Sequence, residues 1–447
     1  MACGPDVTPD AGPRGCPRQS SLVTLILDRL MPTALPAGLA AWLCAGALAP
    51  LAAQAGDRVH LMGQGIASVT RVDPVPGGGR LTEGRLVQPL LMAQATLFGG
   101  HLRALGTLDL EGWTMPDGEL TPGGWGEGFN DRRHPHTYAH ELMVSVVDLL
   151  GRHDGAVRLS LSAGKGFAPF GSDDPMGRPT LRYPVNHHLA QILERAVAIA
   201  AVRTGPVILE GALFNGDEPE RPGQWPRWGR FGDSWSARFT VLPAPWLELS
   251  ASRAKVHSPE HRPGAGTDAW KWHAAARLQR AAAGGRLYAL AEWGRTEEAG
   301  GFFVFRTVLA EAEWRRGPHR PYYRFERSDR PEDLRELDLF RSVRPHLENA
   351  ILGTTRFTLH TVGYGFEREA GVGTLAVQPF VEATLGRARP TMGGVLTPEI
   401  LYGTDRVRSV TAGVRLSWGL AGHRMGRYGG LLEPADGHTM EGGGHAH

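Results

Sequence analysis

Residues 270–279 read WKWHAAARLQ, and alternate positions of this stretch carry side chains of two different classes. One class is apolar and includes Trp270 and Leu278, whereas the other is polar and includes Lys271 and Arg277. Successive side chains of a β-strand point to opposite faces, so this period of two predicts a strand with one apolar and one polar face.

The same alternation recurs along most of the chain, and helical periodicity is scarce. Stretch 188–201 is the most ambiguous. The pattern predicts an all-β fold of about sixteen strands, with fourteen as the alternative. The predicted strands are 59–69, 86–98, 101–112, 139–150, 155–166, 191–203, 205–214, 234–243, 245–257, 269–281, 285–297, 302–316, 319–329, 354–367, 373–387 and 407–419.

The connections between these strands alternate between tight turns and long loops rich in glycine and proline; 298–301 is the exception, being short where a long loop is due. Short turns on one rim and long loops on the other are typical of a transmembrane, antiparallel, up-and-down outer-membrane β-barrel. A soluble sandwich or propeller, the alternative, has no reason to separate its loops in this way. The short turn at 99–100 is assigned to the periplasm, which places both chain termini there.

The N-terminal region has the pattern of a secretory signal peptide. Arg29 precedes an apolar run that ends in the small residues of Ala53-Gln54-Ala55. We therefore expect residues 1–55 to be removed and residues 56–420 to form the barrel in the cell outer membrane. All three cysteines lie in the removed part, which excludes disulfides and thiolate sites from the mature protein. The expected partners are outer-membrane lipid, lipopolysaccharide, the barrel-assembly machinery and further copies of the chain, but no nucleic acid.

A barrel of sixteen strands encloses a lumen too wide for its wall side chains to fill, which leaves an aqueous channel unless a loop folds in. The predicted lumen face mixes both charges, which suits hydrated solutes and does not indicate an anion or cation filter. A scaffold of cross-strand ion pairs is the alternative interpretation. The predicted lumen-lining residues are Arg103, Asp109, Glu111, Arg158, Glu210, Arg238, Glu248, Lys271, Arg277, Arg286, Glu292, Glu311, Glu313, Arg324, Glu326, Arg356, Glu382 and Arg415.

Three stretches carry a resemblance: GKGFAPFGSDDPMGRP at 164–179, NHHLAQILERA at 186–196 and GALFNGDEPE at 211–220. They resemble an uncharacterised family of bacterial outer-membrane, porin-like β-barrels. They are more distantly similar to phosphate-selective porins, in which a G-K-x-x-x-P-F-G turn leads to an E-R segment. The resemblance implies a porin-like envelope protein and supplies no catalytic residues. The lysine-rich binding loops of phosphate porins are missing, so phosphate is not expected as the solute.

Two histidine clusters lie on neighbouring long loops. RRHPHTYAHE at 132–141 contains His134, His136 and His140, and NHHLAQILER at 186–195 contains His187 and His188. Imidazole beside carboxylates such as Glu141 and Glu194 suits Zn(II), Cu(II) or Ni(II), whereas hydrogen bonds that pin the loops are the alternative. No nucleophile elbow accompanies these residues, so no enzyme is expected.

The chain continues past the last strand, and we expect residues 421–447 to form a flexible periplasmic tail. His438, Met440, His445 and His447 of this tail resemble a metal-binding tract. No cofactor is required by the fold, and copper or zinc is the candidate metal.

The sequence therefore predicts a porin-like outer-membrane channel for passive diffusion of small hydrophilic solutes. One alternative is an envelope barrel that binds Cu or Zn through its loop and tail histidines. The other is a structural barrel whose lumen is plugged by its loops.

Overall fold

The computed structural model describes residues 59–75, 77–114, 136–150, 155–172, 178, 184–219, 221–259, 266–333, 351–370, 375–392, 394–420 and 424–432. Nearly all regular structure in this part of the chain is β-strand. Among these residues, no helix has both the length and the apolar character needed to cross a bilayer.

This described part of the chain contains seventeen antiparallel strands and two short helices. The strands are β1 (Val59–Asp73), β2 (Leu81–Leu97), β3 (Leu102–Asp109), β4 (Ala139–Leu150), β5 (Val157–Gly166), β6 (Arg195–Thr204), β7 (Val207–Phe214), β8 (Ser234–Ala244), β9 (Leu247–His257), β10 (Asp268–Ala282), β11 (Gly285–Glu298), β12 (Phe303–Arg315), β13 (His319–Asp333), β14 (Ile351–Phe366), β15 (Arg368–Ala370), β16 (Leu375–Met392) and β17 (Arg406–Trp418). The helices are α1 (Glu111–Thr114) and α2 (Pro398–Tyr402).

The sheet closes on itself, because β1 pairs with both β2 and β17. The three-residue strand β15 extends β14 along the same neighbour, β16, so the closed ring has sixteen staves. The predicted sixteen-strand barrel is confirmed, including its first strand at 59–69, and the alternative of fourteen strands is wrong. Strand β3 ends three residues before its predicted end, since the Glu111 backbone N–H donates to Asp109 Oδ1 (2.8 Å) and turns the chain into α1.

The two faces of each strand differ in the predicted way. In β4, Leu142 and Val144 point outward and are 53% and 48% exposed, whereas Met143 and Ser145 point inward and are buried. This alternation continues around the ring and produces an apolar outer belt. The belt includes Leu142, Val144, Val146, Leu161, Val202, Leu209, Leu213, Phe239, Leu249, Val308, Val362, Val381 and Val410.

The connections separate by length onto two rims. One rim carries tight turns such as 205–206, 245–246 and 283–284, and we call it the short-turn rim. The other, the long-loop rim, carries the long connections 110–138, 167–194 and 215–233. The predicted exception is real: residues 299–301 form a single 3-10 turn on the long-loop rim. Gly300 adopts φ 69° there, a left-handed conformation that glycine adopts without steric cost.

Two segments enter the barrel interior. The inner segment, residues 167–194, leaves β5 and returns at β6; its described residues are 167–172, 178 and 184–194. The tail segment, residues 424–432, follows β17. Both contribute to apolar clusters inside the barrel: Phe167 and Leu193 pack with Met425 and with the inward residues Met62 and Phe380, among others.

Candidate functional site

The inner segment crosses the lumen from one wall to the opposite one. Near β5, the Ala168 backbone N–H donates to the Ile192 carbonyl (3.0 Å), which holds the two ends of the segment together. At its far side, the Val185 backbone N–H donates to Glu326 Oε1 (2.5 Å) and the Asn186 side-chain amide donates to the Asp329 carbonyl (3.0 Å). Because β5 and β13 are eight staves apart in a ring of sixteen, these contacts span the lumen.

Arg178 anchors the middle of the inner segment to the wall. Its guanidinium lies 3.1 Å from Glu292 Oε1 and 4.0 Å from Glu311 Oε1, and all three side chains are buried. Ser172 Oγ donates to Glu292 Oε2 (2.7 Å) from the same segment. Burial alone would lower the pKa of Arg178, but the charges of Glu292 and Glu311 outweigh it and raise that pKa. Arg178 is therefore held in its charged form.

The tail segment also lies against the lumen wall. Arg424 Nη1 donates to Glu248 Oε2 (2.6 Å), and Arg427 Nη2 donates to Glu248 Oε1 (3.0 Å). Burial and the nearby charge of Arg238 lower the pKa of Arg427 to about 10. Within the predicted tail, residues 424–432 therefore lie against the wall, because buried carboxylates of β7 and β9 bind the two arginines. Residues 433–447, with His438, His445 and His447, lie outside the described part of the chain.

Tyr428 joins the tail segment, the inner segment and the wall. Its hydroxyl donates to Glu141 Oε1 of β4 (2.6 Å) and accepts a hydrogen bond from the Phe167 backbone N–H (3.0 Å). Ser160 Oγ of β5 donates to the carbonyl of the next tail residue, Gly429 (3.0 Å). The two segments are therefore linked to one another where they meet the β4–β5 wall.

The inward charges of the wall are largely paired. Arg238 makes a bidentate contact with Glu210 (2.5 and 2.6 Å), and Arg324 Nε donates to Glu311 Oε2 (3.1 Å). The other predicted lumen-lining residues make the following contacts: Arg158 with Asp148, Arg356 with Asp329, Lys271 with the His188 carbonyl, Glu313 with Arg320, Glu382 with Tyr322, Arg415 with Gln64, Arg277 over the Tyr288 ring and Arg103 beside Gly430. Arg286 is exposed near the short-turn rim. These contacts agree with the ion-pair scaffold interpretation.

A buried cluster of histidines and carboxylates lies at the long-loop rim of this wall. Asp109 ends β3, Glu111 begins α1, His136 precedes β4, His140 lies in β4 and Glu194 precedes β6. His136 Nδ1 is 3.2 Å from both Asp109 Oδ2 and Glu111 Oε2, and His140 Nδ1 is 2.5 Å from Glu194 Oε1. The two imidazole rings meet edge to face, with centroids 5.1 Å apart.

The cluster residues that lie outside the strands have shifted pKa values. Burial and the Asp109 charge raise the pKa of Glu111 to about 7, although His136 acts in the opposite direction. Burial would lower the pKa of His136, yet hydrogen bonds to Asp109 and Glu111 raise it well above its usual value. For Glu194, burial raises the pKa, but the charges of Lys165 and His140 prevail and lower it to about 2.

The structure brings together only some of the predicted metal-ligating residues. His136 and His140 are neighbours, whereas His188 lies beside Glu218 (Nδ1 to Oε1, 3.9 Å). His134 and the side chain of His187 lie outside the described part. Asp109 and Glu111 were predicted to face inward, but as lumen wall and not as partners of histidine. Strand alternation predicts the face on which a residue lies, but not its partner on another part of the chain, such as His136 for Glu111, 25 positions away.

Comparison with known proteins adds only a likeness of fold. No protein-family model and no curated protein matches the chain. The chain is similar to the solved structure of an anion-selective porin from Comamonas acidovorans, at 13% identity and TM-score 0.44, covering 80% of this chain and 99% of that one. It is also similar to OprB of Pseudomonas putida, at 10% identity and TM-score 0.47, covering 81% and 94%. At such values the likeness does not extend to function.

Proposed function

We propose that this protein is a porin-like channel of the outer membrane that passes small hydrophilic solutes by diffusion, with its lumen restricted by the inner segment and the tail segment. The observation that carries the proposal is the inversion of the barrel: its outside is apolar and exposed, and its inside holds paired charges. Hydrated solutes are compatible with such an interior.

The apolar outer belt supports a place in a bilayer. Exposed apolar area of this extent is unfavourable in water, whereas lipid hydrocarbon accommodates it. The closed ring leaves no strand edge with unsatisfied backbone groups, which is the condition for β-structure in lipid. We assign the short-turn rim to the periplasm, so that both termini lie there and the tail segment enters from that side. Outer-membrane lipid and lipopolysaccharide are the proposed neighbours of the belt.

The two segments set the size of the passage. The inner segment is bound to both walls, and the tail segment covers the inward face of β5, β7 and β9. Large solutes are therefore excluded in the described state. Because the wall charges are paired, we expect little discrimination between small anions and cations.

Single-channel conductance in planar bilayers tests the proposal. We compare the mature protein with a version ending at Leu420, which lacks the tail segment, and with a control ending at Leu432, which keeps it. We expect a small conductance for the mature protein and the control, and a larger one for the version ending at Leu420. Equal conductance in all three versions would show that the tail segment does not restrict the passage.

A loop-plugged structural barrel is the second candidate. It is favoured by the apolar contacts of Phe167, Leu193 and Met425, which fill part of the lumen with apolar side chains. Absence of conductance in all three versions, with each one folded, would favour this candidate over the channel.

A further inference from the structure

We propose that Asp109, His136 and His140 form a binding site for one divalent first-row transition metal ion, with Glu194 as the residue that positions His140. Zn²⁺ is the reference ion. The proposal does not depend on whether the barrel conducts.

The first argument is geometric. Asp109, His136 and His140 each offer a ligand atom, and these atoms lie within 4.8 Å of one another. Metal–ligand bonds of about 2.0–2.2 Å require ligand atoms somewhat closer than this limit, so small side-chain rotations complete the site. The three residues come from the end of one strand, the connection after it and the start of the next strand. Backbone pairing between β3 and β4 therefore fixes two of the three ligands.

The second argument is an orphaned buried nitrogen in the cluster. His140 Nδ1 is engaged by Glu194, but His140 Nε2 has no hydrogen-bond partner among the described residues. Asp109 Oδ1 accepts the Glu111 N–H, and Asp109 Oδ2 has His136 Nδ1 as its neighbour at 3.2 Å. Buried polar atoms rarely stay unsatisfied, and each such atom calls for an explanation, such as an ion. A metal ion at this site would satisfy His140 Nε2.

The third argument is the support around the candidate ligands. Glu194 Oε1 accepts hydrogen bonds from His140 Nδ1, from the Thr137 backbone N–H (2.9 Å) and from Thr137 Oγ1 (3.1 Å). A carboxylate that holds the second nitrogen of a ligating imidazole is the usual partner of a metal-bound histidine. Phe167 of the inner segment packs edge-on against the His140 ring, at 5.3 Å between centroids, and shields it from solvent.

Charge also favours a divalent cation. Asp109, Glu111 and Glu194 are buried around the two imidazoles, and Lys165 interacts with Glu194. The excess of carboxylates over the one fixed cation attracts a positive ion to this place. Two imidazoles and one carboxylate suit Zn(II), Cu(II) or Fe(II), and the carboxylate disfavours Cu(I).

The chain supplies a matched control at His273. This histidine is equally buried, lies 3.3 Å from the Glu292 carboxylate and also has an orphaned nitrogen, Nδ1, among the described residues. Its carboxylate partner, however, is already bound by the Arg178 guanidinium. The Arg178 guanidinium repels a metal ion. His273 therefore shares burial and an orphaned nitrogen with His140, but it lacks the net negative surroundings that a metal site needs.

The test uses the chain ending at Leu432, which removes His438, His445 and His447 but keeps Tyr428. The protein is folded in detergent, stripped with EDTA and titrated with Zn²⁺ by calorimetry, with metal content measured after desalting. Variants His140→Gln, Asp109→Asn, Glu194→Gln and the control His273→Gln are measured in parallel. Co²⁺ absorption reports the ligand geometry independently of affinity. Heat-dependent mobility in gels verifies that each variant is folded.

We expect one Zn²⁺ per chain, with binding weakened about 100-fold or more in His140→Gln and roughly 10- to 100-fold in Glu194→Gln. His273→Gln is expected to bind as the parent does. If His140→Gln does not fold, Asp109→Asn decides, because it changes charge with hardly any change in volume. No stoichiometric binding by the parent, or equal binding by the parent and the site variants, would overturn the proposal and leave a protonated ion-pair cluster. Equal weakening in His273→Gln would overturn it as well.

Discussion

Replacing Arg178 with methionine removes the central anchor of the inner segment. Methionine keeps much of the side-chain length but carries no charge. Glu311 retains the Arg324 guanidinium at 3.1 Å, so only Glu292 loses its cation. Glu292 then keeps the Ser172 hydroxyl and His273 Nε2 at 3.3 Å as partners.

The expected cost follows from leaving one buried carboxylate uncompensated. Removing one partner of a buried ion pair costs about 3–5 kcal/mol, whereas replacing both partners with apolar groups is often neutral or stabilising. Because Glu292 keeps the Ser172 hydroxyl and His273 Nε2 as hydrogen-bond partners, we expect the cost of Arg178→Met to lie near the lower end, at roughly 3 kcal/mol. The double variant Arg178→Met/Glu292→Met is expected to recover most of that loss.

Hydrogen exchange on detergent-folded protein measures this cost locally. The Gly171 and Val185 amides report on docking of the inner segment, since they donate to Ser252 Oγ and Glu326 Oε1 of the barrel wall. A cost of about 3 kcal/mol lowers their protection roughly 150-fold, and the strand amides of β10 and β11 serve as an unchanged reference. Protection within threefold of the parent in Arg178→Met, or a double variant as weak as the single one, would refute the role of the ion pair.

Three further predictions concern other contacts. Tyr428→Phe removes the hydrogen bond from Tyr428 to Glu141 Oε1, although Thr107 still donates to Oε2. It is expected to cost about 1–3 kcal/mol of tail docking, seen as faster proteolysis after residue 420; unchanged cleavage would contradict it. Gly171→Ala places a Cβ 1.7 Å from the Ala190 carbonyl oxygen at φ 74°, so the inner segment should undock and lose amide protection, while retained protection would show that the turn relaxes. Val144→Arg puts a charge on the apolar outer belt at mid-strand and should destabilise the bilayer-folded protein by about 2–4 kcal/mol in urea titrations, whereas no loss would argue against lipid contact.

Strand alternation was sufficient to predict the barrel, because a packed inner face and an exposed apolar outer face impose a period of two on every strand. Strand β4 was predicted with its observed bounds, 139–150. The prediction missed the start of β2, since residues 81–85 contain a glycine and little alternation. It also gave no partner for Tyr322. This residue follows the parity of β13 inward and donates to Glu382.

The interior could not be predicted in the same way, because its contacts join residues that are distant in sequence. Arg178 and Glu292 are separated by 114 positions, and Tyr428 and Glu141 by 287. The stretch HRMGRYGG at 423–430 has no periodicity, so it resembled a flexible tail. Residues 424–430 of this stretch are held in place by carboxylates on other strands. The pairing of His136 and His140 could be anticipated from their i, i+4 spacing in one cluster, whereas their contact with Asp109 depends on how β3 and β4 pair.

The two segments inside the barrel differ in how they are tethered. The inner segment is fixed at both ends by consecutive strands, so it can leave the lumen only as a loop that stays attached at β5 and β6. The tail segment follows β17 beyond Leu420, and among the described residues it takes no part in the hydrogen-bond ladder of the barrel. Its withdrawal therefore breaks side-chain and loop contacts alone and leaves the wall intact. The inner segment thus narrows the lumen permanently, whereas the tail segment can be withdrawn. The free cross-section of the lumen can therefore change while every strand stays paired.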